Sequence, residues 1–214
     1  MFNSSVLTRA VFDLGEENSF GNFFSAMMLA FTALISALIA YRHQSQGARL
    51  WLIWSFATLA LAGMAIDEGA MLHDRLSRPI QERLQTSGVF YIGWTLPYLF
   101  LVFAAVFAGL PLLRSLRPRT RIRLIVAAAL YVGAAMGMEM IEALLLQRSV
   151  PEDMTFRAAI ASGDPPSWAI LVPMEETGEM IAVALALRAL LLHLTDDLGG
   201  ARLTFGAAAP DGAP

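Results

Sequence analysis

Apolar residues in this chain collect into five long runs, residues 23–41, 50–72, 89–113, 124–146 and 172–194, each closed by a polar or basic break. A run of about 20 residues makes roughly 30 Å of α-helix, the thickness of a bilayer's hydrocarbon core. The pattern predicts an all-α integral membrane bundle of five transmembrane helices. The breaks carry turn chemistry: Pro79 and Gly88 punctuate the charged connection before the third span, and Pro151, Gly163, Pro165 and Pro166 the loop before the fifth. Trp51 and Trp54 open the second span and Tyr91, Trp94 and Tyr98 the third, where aromatic side chains read as anchors at the membrane–water interface. Pro97 is expected to kink the third helix near its start, and Pro173 suits the first turn of the fifth. Residues 1–22 read as a retained polar tail without the basic region of a signal peptide, and residues 195–214, rich in Gly, Ala and Pro, as a disordered tail.

Composition agrees with the pattern. Over 214 residues, 57% hydrophobic and 15% charged side chains with a mean hydropathy of +0.58 exclude a soluble domain and leave one membrane domain, residues 23–194. The absence of cysteine removes disulfides and thiolate metal sites. Charge then sets orientation, because five spans place the termini on opposite sides. Arg42, Arg49, five arginines between 114 and 123, Arg188 and Arg202 fall on one side, against Arg9, Arg75, Arg78, Arg83, Arg148 and Arg157 on the other. The positive-inside rule makes the first side cytoplasmic, giving an outside N-terminus and a cytoplasmic C-terminus in a bacterial inner membrane. Of the acids, only Asp196, Asp197 and Asp211 lie inside, so the outer face is strongly negative.

Three of the apolar runs are interrupted by acids. Asp67, Glu68, His73 and Asp74 close the second span, Glu139 and Glu142 lie late in the fourth, and Glu175, Glu176 and Glu179 lie early in the fifth. Alternating topology brings all three groups to one depth in the outer leaflet. The i,i+3 spacing of Glu139 and Glu142 and the i,i+4 spacing of Glu175 and Glu179 place each pair on one helical face. Glu68 and His73, at i,i+5, converge only if the helix widens into a π-bulge near Gly69 or ends there. Glu175 and Glu176 have a bland explanation in the dipole of a helix N-terminus; Asp67, Glu68, Glu139 and Glu142 approach helix C-termini, where the dipole disfavours them. Pairing with outer arginines is the structural alternative for the whole group. The methionines crowding the region read as packing, and His43 and His193 as interfacial side chains at the cytoplasmic rim.

Two unit charges about 4 Å apart repel by roughly 4 kcal/mol at an effective dielectric of 20, so seven neighbouring carboxylates require protons or cations. Oxygen donors with one imidazole suit iron(II) or manganese, with calcium or zinc as alternatives. The expected metal ligands are Glu68, His73, Glu139, Glu142, Glu175, Glu176 and Glu179, with Asp67 left over to relay protons as the catalytic carboxylate.

Asp67-Glu68-x4-His73-Asp74, Gly137-x-Glu139 and Glu175-Glu176-x2-Glu179-Met180 together resemble a recurrent group of uncharacterised bacterial multi-pass membrane proteins. The resemblance covers spans two to five and implies one shared site without naming a reaction. A looser analogy is the di-iron carboxylate helical bundles, from which this chain departs in having no Glu-x-x-His. The expectation is a metal-dependent membrane oxidoreductase acting on a lipid-phase substrate such as a quinone, fatty acyl chain or isoprenoid. The alternative is a divalent-cation or proton transport element, or an accessory subunit of a membrane complex. The expected partners are the bilayer and a membrane protein or second copy of the chain; nucleic acid is not among them.

Overall fold

A computed structural model describes residues 19–151, 154–163 and 165–200, and among these every regular element is helical. Among the described residues, five helices are long and apolar enough to cross a membrane: α1 (Phe20–Ser45), α2 (Leu50–Ala70), α4 (Thr95–Ser115), the continuous segment Pro118–Ser149, and Trp168–Asp197. The fourth consists of α5 (Pro118–Val132), a π-helical turn (Gly133–Met138) and α6 (Glu139–Ser149); the fifth is α8 (Trp168–Leu192) followed by a second π-helical turn (His193–Asp197). Two shorter helices, α3 (Leu72–Leu84) and α7 (Phe156–Ala161), lie in the connections. The expected count of spans holds. The two expected tails fall largely on residues 1–18 and 201–214, outside the described residues.

The helices start and stop for local reasons. The Ser19 side chain accepts the Asn22 N–H at 3.2 Å and caps α1. Pro118 opens α5, where its missing N–H has no intrahelical partner to lose. Pro97 falls in the first turn of α4 for the same reason and interrupts no ladder, so the expected kink has no cause there. Pro173 instead lies inside α8, more than a turn beyond Trp168, and Pro79 lies inside α3, which is helical where a broken connection was expected. The tail expected from Thr195 also begins too early, since residues 195–197 belong to the second π-turn.

Packing concentrates at the two ends of the bundle. At one end Ile39, Trp54, Leu112, Leu116, Leu190 and Leu194 form a buried cluster. At the other, Tyr91, Ile92, Trp94, Met136, Leu146 and Phe156 do so. Between them, Phe31, Leu59, Phe100 and Phe107 are exposed. An apolar belt of that size would drive aggregation in water and is an ordinary lipid-facing surface in a bilayer. α1 and α2 are tied in mid-bundle by Thr58, whose hydroxyl bonds Ser36 Oγ at 3.0 Å and the Trp54 carbonyl at 2.9 Å. Such hydroxyl contacts hold helices together where the hydrophobic effect no longer discriminates protein from lipid.

The reading of His43 and His193 as interfacial side chains does not survive. His43 and His193 are buried, and both stack on the buried Trp54 indole, with centroids 6.5 and 5.5 Å away. His193 Nδ1 lies 2.8 Å from Asp197 Oδ2, and Asp197 also accepts from Arg117 and Thr120 at 2.9 Å each. His193 and Asp197 stand at i,i+4, the spacing that puts two side chains on one helical face. Trp54 is therefore a core side chain rather than an interfacial anchor.

Candidate metal centre

The acid groups of three helices meet at one end of the bundle, as the alternation of spans requires. α2 ends at Ala70 because Met71 adopts a left-handed conformation, φ 51° and ψ 48°, and α3 departs at once. Of the two routes that could bring Glu68 and His73 together, the helix end is the one taken. It also answers the dipole objection for Asp67, which sits beside the N-terminus of α3: its Oδ1 accepts the His73 backbone N–H at 3.1 Å and the Tyr98 hydroxyl at 2.8 Å. Asp67 Oδ2 meets His73 Nδ1 at 3.1 Å. Three donors thus hold one carboxylate. The Glu68 carbonyl, near the end of α2, accepts from the Asn22 side chain at 3.0 Å, and its own carboxylate is buried.

A π-turn does occur in the fourth span, at Gly133–Met138, immediately before Glu139. A π-turn inserts an extra residue and rotates the next stretch of helix about its axis, and such turns recur at functional sites. Here it delivers Glu139 and Glu142 against α8. One oxygen from each of Glu139, Glu142 and Glu175 falls within 4.8 Å of the others, with Glu142 and Glu175 buried and Glu139 half-buried. At that separation each pair of charges repels by about 3 to 4 kcal/mol at an effective dielectric of 20. No helix N-terminus relieves Glu175 and Glu176, because α8 begins two turns earlier at Trp168 and a dipole acts only over the first turn. Two arginine–carboxylate pairs join described residues, Arg78–Glu82 and Arg117–Asp197, and neither carboxylate belongs to the cluster.

Around this triad the other expected ligands fall into a second rank. Glu68, Glu176 and Glu179 lie within Coulombic range of one another, and Glu176 Oε2 is buried without a hydrogen-bond partner among the described residues. His73 stands apart from the triad: its Nδ1 serves Asp67, and its Nε2 lies 3.6 Å from Asp74 Oδ2. Burial opposes charge on this imidazole, but the Asp67 hydrogen bond and the negative charges of Asp74, Asp67 and Glu68 outweigh it and push the pKa up to about 9. The geometry makes His73 a cationic neighbour of the cluster.

Sequence reasoning missed two residues of the site. Trp94 is 5% exposed, not a lipid-interface anchor; its Nε1 donates to Glu139 Oε1 at 3.1 Å, and its ring lies 4.9 Å from that of His73. Tyr98 is the second. The signal was present as the i,i+4 spacing of Trp94 and Tyr98, which puts both on one face at the depth of the acids. The Gly93 hydrogen is also required, since a Cβ there would come within 2.8 Å of the Ser77 carbonyl and 2.9 Å of the Gln81 nitrogen. Close contact between α3 and the start of α4 is what places Trp94.

All of these groups line one cavity of about 2260 Å³, polar where the acids are and apolar along the rest of its length. No curated protein and no solved structure matches the chain. A family model described as "Domain of unknown function (DUF8692)" matches residues 2–194, nearly the whole chain, and the protein belongs to that family.

Proposed function

We propose that this is a metal-binding membrane protein whose ion is held by Glu139, Glu142 and Glu175, and that it acts as a metal-dependent oxidoreductase on a lipid-phase substrate. The observation that carries the reading is the triad itself: three carboxylates from two helices, converging within 4.8 Å in a largely buried setting. A cation relieves their repulsion and accounts for acids at positions no dipole supports. An all-oxygen donor set fits manganese or calcium, with iron(II) next because the one imidazole, His73, stands apart from the triad, and zinc last. Glu176 and Glu179 lie within Coulombic range of the triad and Glu68 within range of both, so they add negative field around the ion rather than to its three ligands.

A metal bound there would supply Lewis acidity and one-electron chemistry. The chain's own residues do the rest. Trp94 fixes one Glu139 oxygen by its indole N–H, in the manner of the outer-shell donors that orient metal ligands. Asp67, saturated by His73 and Tyr98, positions the imidazole, and His73 holds a proton at the edge of the cluster for transfer toward the cavity. Ion transport fits less well, because the cavity continues from the acids along Val102, Ala105 and Leu112, which offer a dehydrated cation nothing. The positive-inside bias supports placing the site in the outer leaflet of a bacterial inner membrane.

Elemental analysis of detergent-purified protein, with melting measured before and after chelation, tests the reading. Wild type is expected to carry manganese, calcium or iron at one ion per chain and to melt lower once stripped. Glu139→Gln, which keeps shape but removes an anionic ligand, should bind less metal and lose the chelator effect. Wild-type protein that holds no stoichiometric metal, and melts identically after verified stripping, would sink the proposal.

A further inference from the structure

The cavity is far larger than an ion site needs. It lies between α4 and the remaining spans, and from Tyr98 to Leu113 along α4 it extends roughly 22 Å at 1.5 Å per residue, most of the hydrocarbon thickness. Its apolar limb is walled by small side chains on facing helices, Ala60 and Gly63 of α2, Ala105 and Gly109 of α4, and Ala128 of α5. Leu101, Val106 and Ile125 line it and are exposed, so a molecule in the bilayer reaches it without crossing a packed wall. Of α4 itself only Thr95 and Leu112 are buried. The polar end carries the carboxylates together with the Trp94, Tyr98 and Tyr131 rings.

We infer that this cavity takes a single-chain amphiphile from the bilayer, its hydrocarbon tail in the limb beside α4 and a neutral, oxygen-bearing head among the carboxylates. The inference rests on the proposed ion site for the role of the head, which an ion at Glu139, Glu142 and Glu175 would meet as an oxygen ligand. Charge selects the head: a fixed anion faces the same repulsion that the carboxylates impose on one another. The length of the limb along α4 suits one extended hydrocarbon chain.

The test uses the full chain in phosphatidylcholine nanodiscs and three C18 probes brominated next to the head: an alcohol, an amine and a carboxylate. Bromine quenches tryptophan fluorescence on contact, and Trp94 stands at the polar end. The alcohol is expected to quench saturably, with the quenching reduced in Trp94→Phe to the share of Trp168, the second tryptophan lining the cavity. Gly109→Leu extends into the apolar limb; a Cβ at Gly109 meets nothing within 4 Å, so the variant is expected to fold, and it should weaken the alcohol about tenfold while leaving metal content unchanged. Equal affinity in Gly109→Leu, or quenching by the carboxylate as strong as by the alcohol, overturns the inference. Preference for the amine overturns the neutral head. Because the chain has no cysteine, Gly109→Cys supplies a unique thiol, and an oxidant-induced disulfide dimer would show a second copy in the groove instead. Gly109-sensitive binding in protein that carries no metal would retain the amphiphile and discard the ion.

Discussion

His73 is where residue chemistry reports on the site most directly. Its folded pKa of about 9 lies above the ordinary histidine value near 6.5, so its contribution to stability is fully present below pH 6.5 and is lost as pH rises through 9. In chelated protein, the wild-type melting temperature is expected to fall between pH 6.5 and 9.5, and His73→Gln should flatten that fall. An imidazole titration by nuclear magnetic resonance should place the midpoint near 9 and move it down in Asp67→Asn, which weakens the acceptor and removes its charge. A midpoint at or below 6.5 in the wild type would mean that Asp67 and Asp74 do not act on the ring as their distances require. Trp94 and Tyr98 make the complementary point: an aromatic residue beside an acid cluster is read by its partner, not by its average habitat.

Among the elements, the π-turn at Gly133–Met138 and α8 set the triad between them. Their approach is close enough that a Cβ on Gly178 would lie 2.9 Å from the Cβ of Ala134, and neither atom belongs to a flexible side chain. Gly178→Ala must therefore push α8 away from the turn, one helical step from Glu175 and Glu179. A loss of about 1 to 3 kcal/mol, the usual cost of overpacking, is expected in chemical denaturation, together with reduced metal content. Unchanged stability and metal content in Gly178→Ala would show that the two elements are free to adjust. α3 illustrates a different local rule: with Ser77 and Gln81 inward and Leu76 and Leu84 outward it is amphipathic, which suits a helix lying along the bundle end rather than crossing it.

For the whole molecule, the five spans divide the chain into an acid end and an end built on His43, Trp54, His193 and Asp197. Arginine asymmetry argues for the acid end facing outward, and the cysteine-free chain makes the orientation measurable. Ser162→Cys should react with a membrane-impermeant thiol reagent applied to intact spheroplasts, and Arg119→Cys should not. The reverse pattern would turn the acid end toward the cytoplasm while leaving the geometry of the site untouched.

The sequence by itself determined the number of spans, since only helices satisfy their backbone groups inside a bilayer and the apolar runs have the length to cross one. It also determined that acids from α2, α6 and α8 share one depth, because alternating passage leaves no other arrangement. Tertiary structure decided the rest. Whether Glu139, Glu142 and Glu175 face a common point depends on the rotation of two helices about their axes, and that rotation is set by a π-turn and by the Gly178 contact, neither of which has a signature in apolar periodicity. Whether His73 ligates an ion or balances its neighbours depends on the left-handed Met71 that ends α2 and swings the ring onto Asp67. Trp94 became a site residue through packing of α3 on Gly93, a contact between segments whose pairing no local pattern encodes.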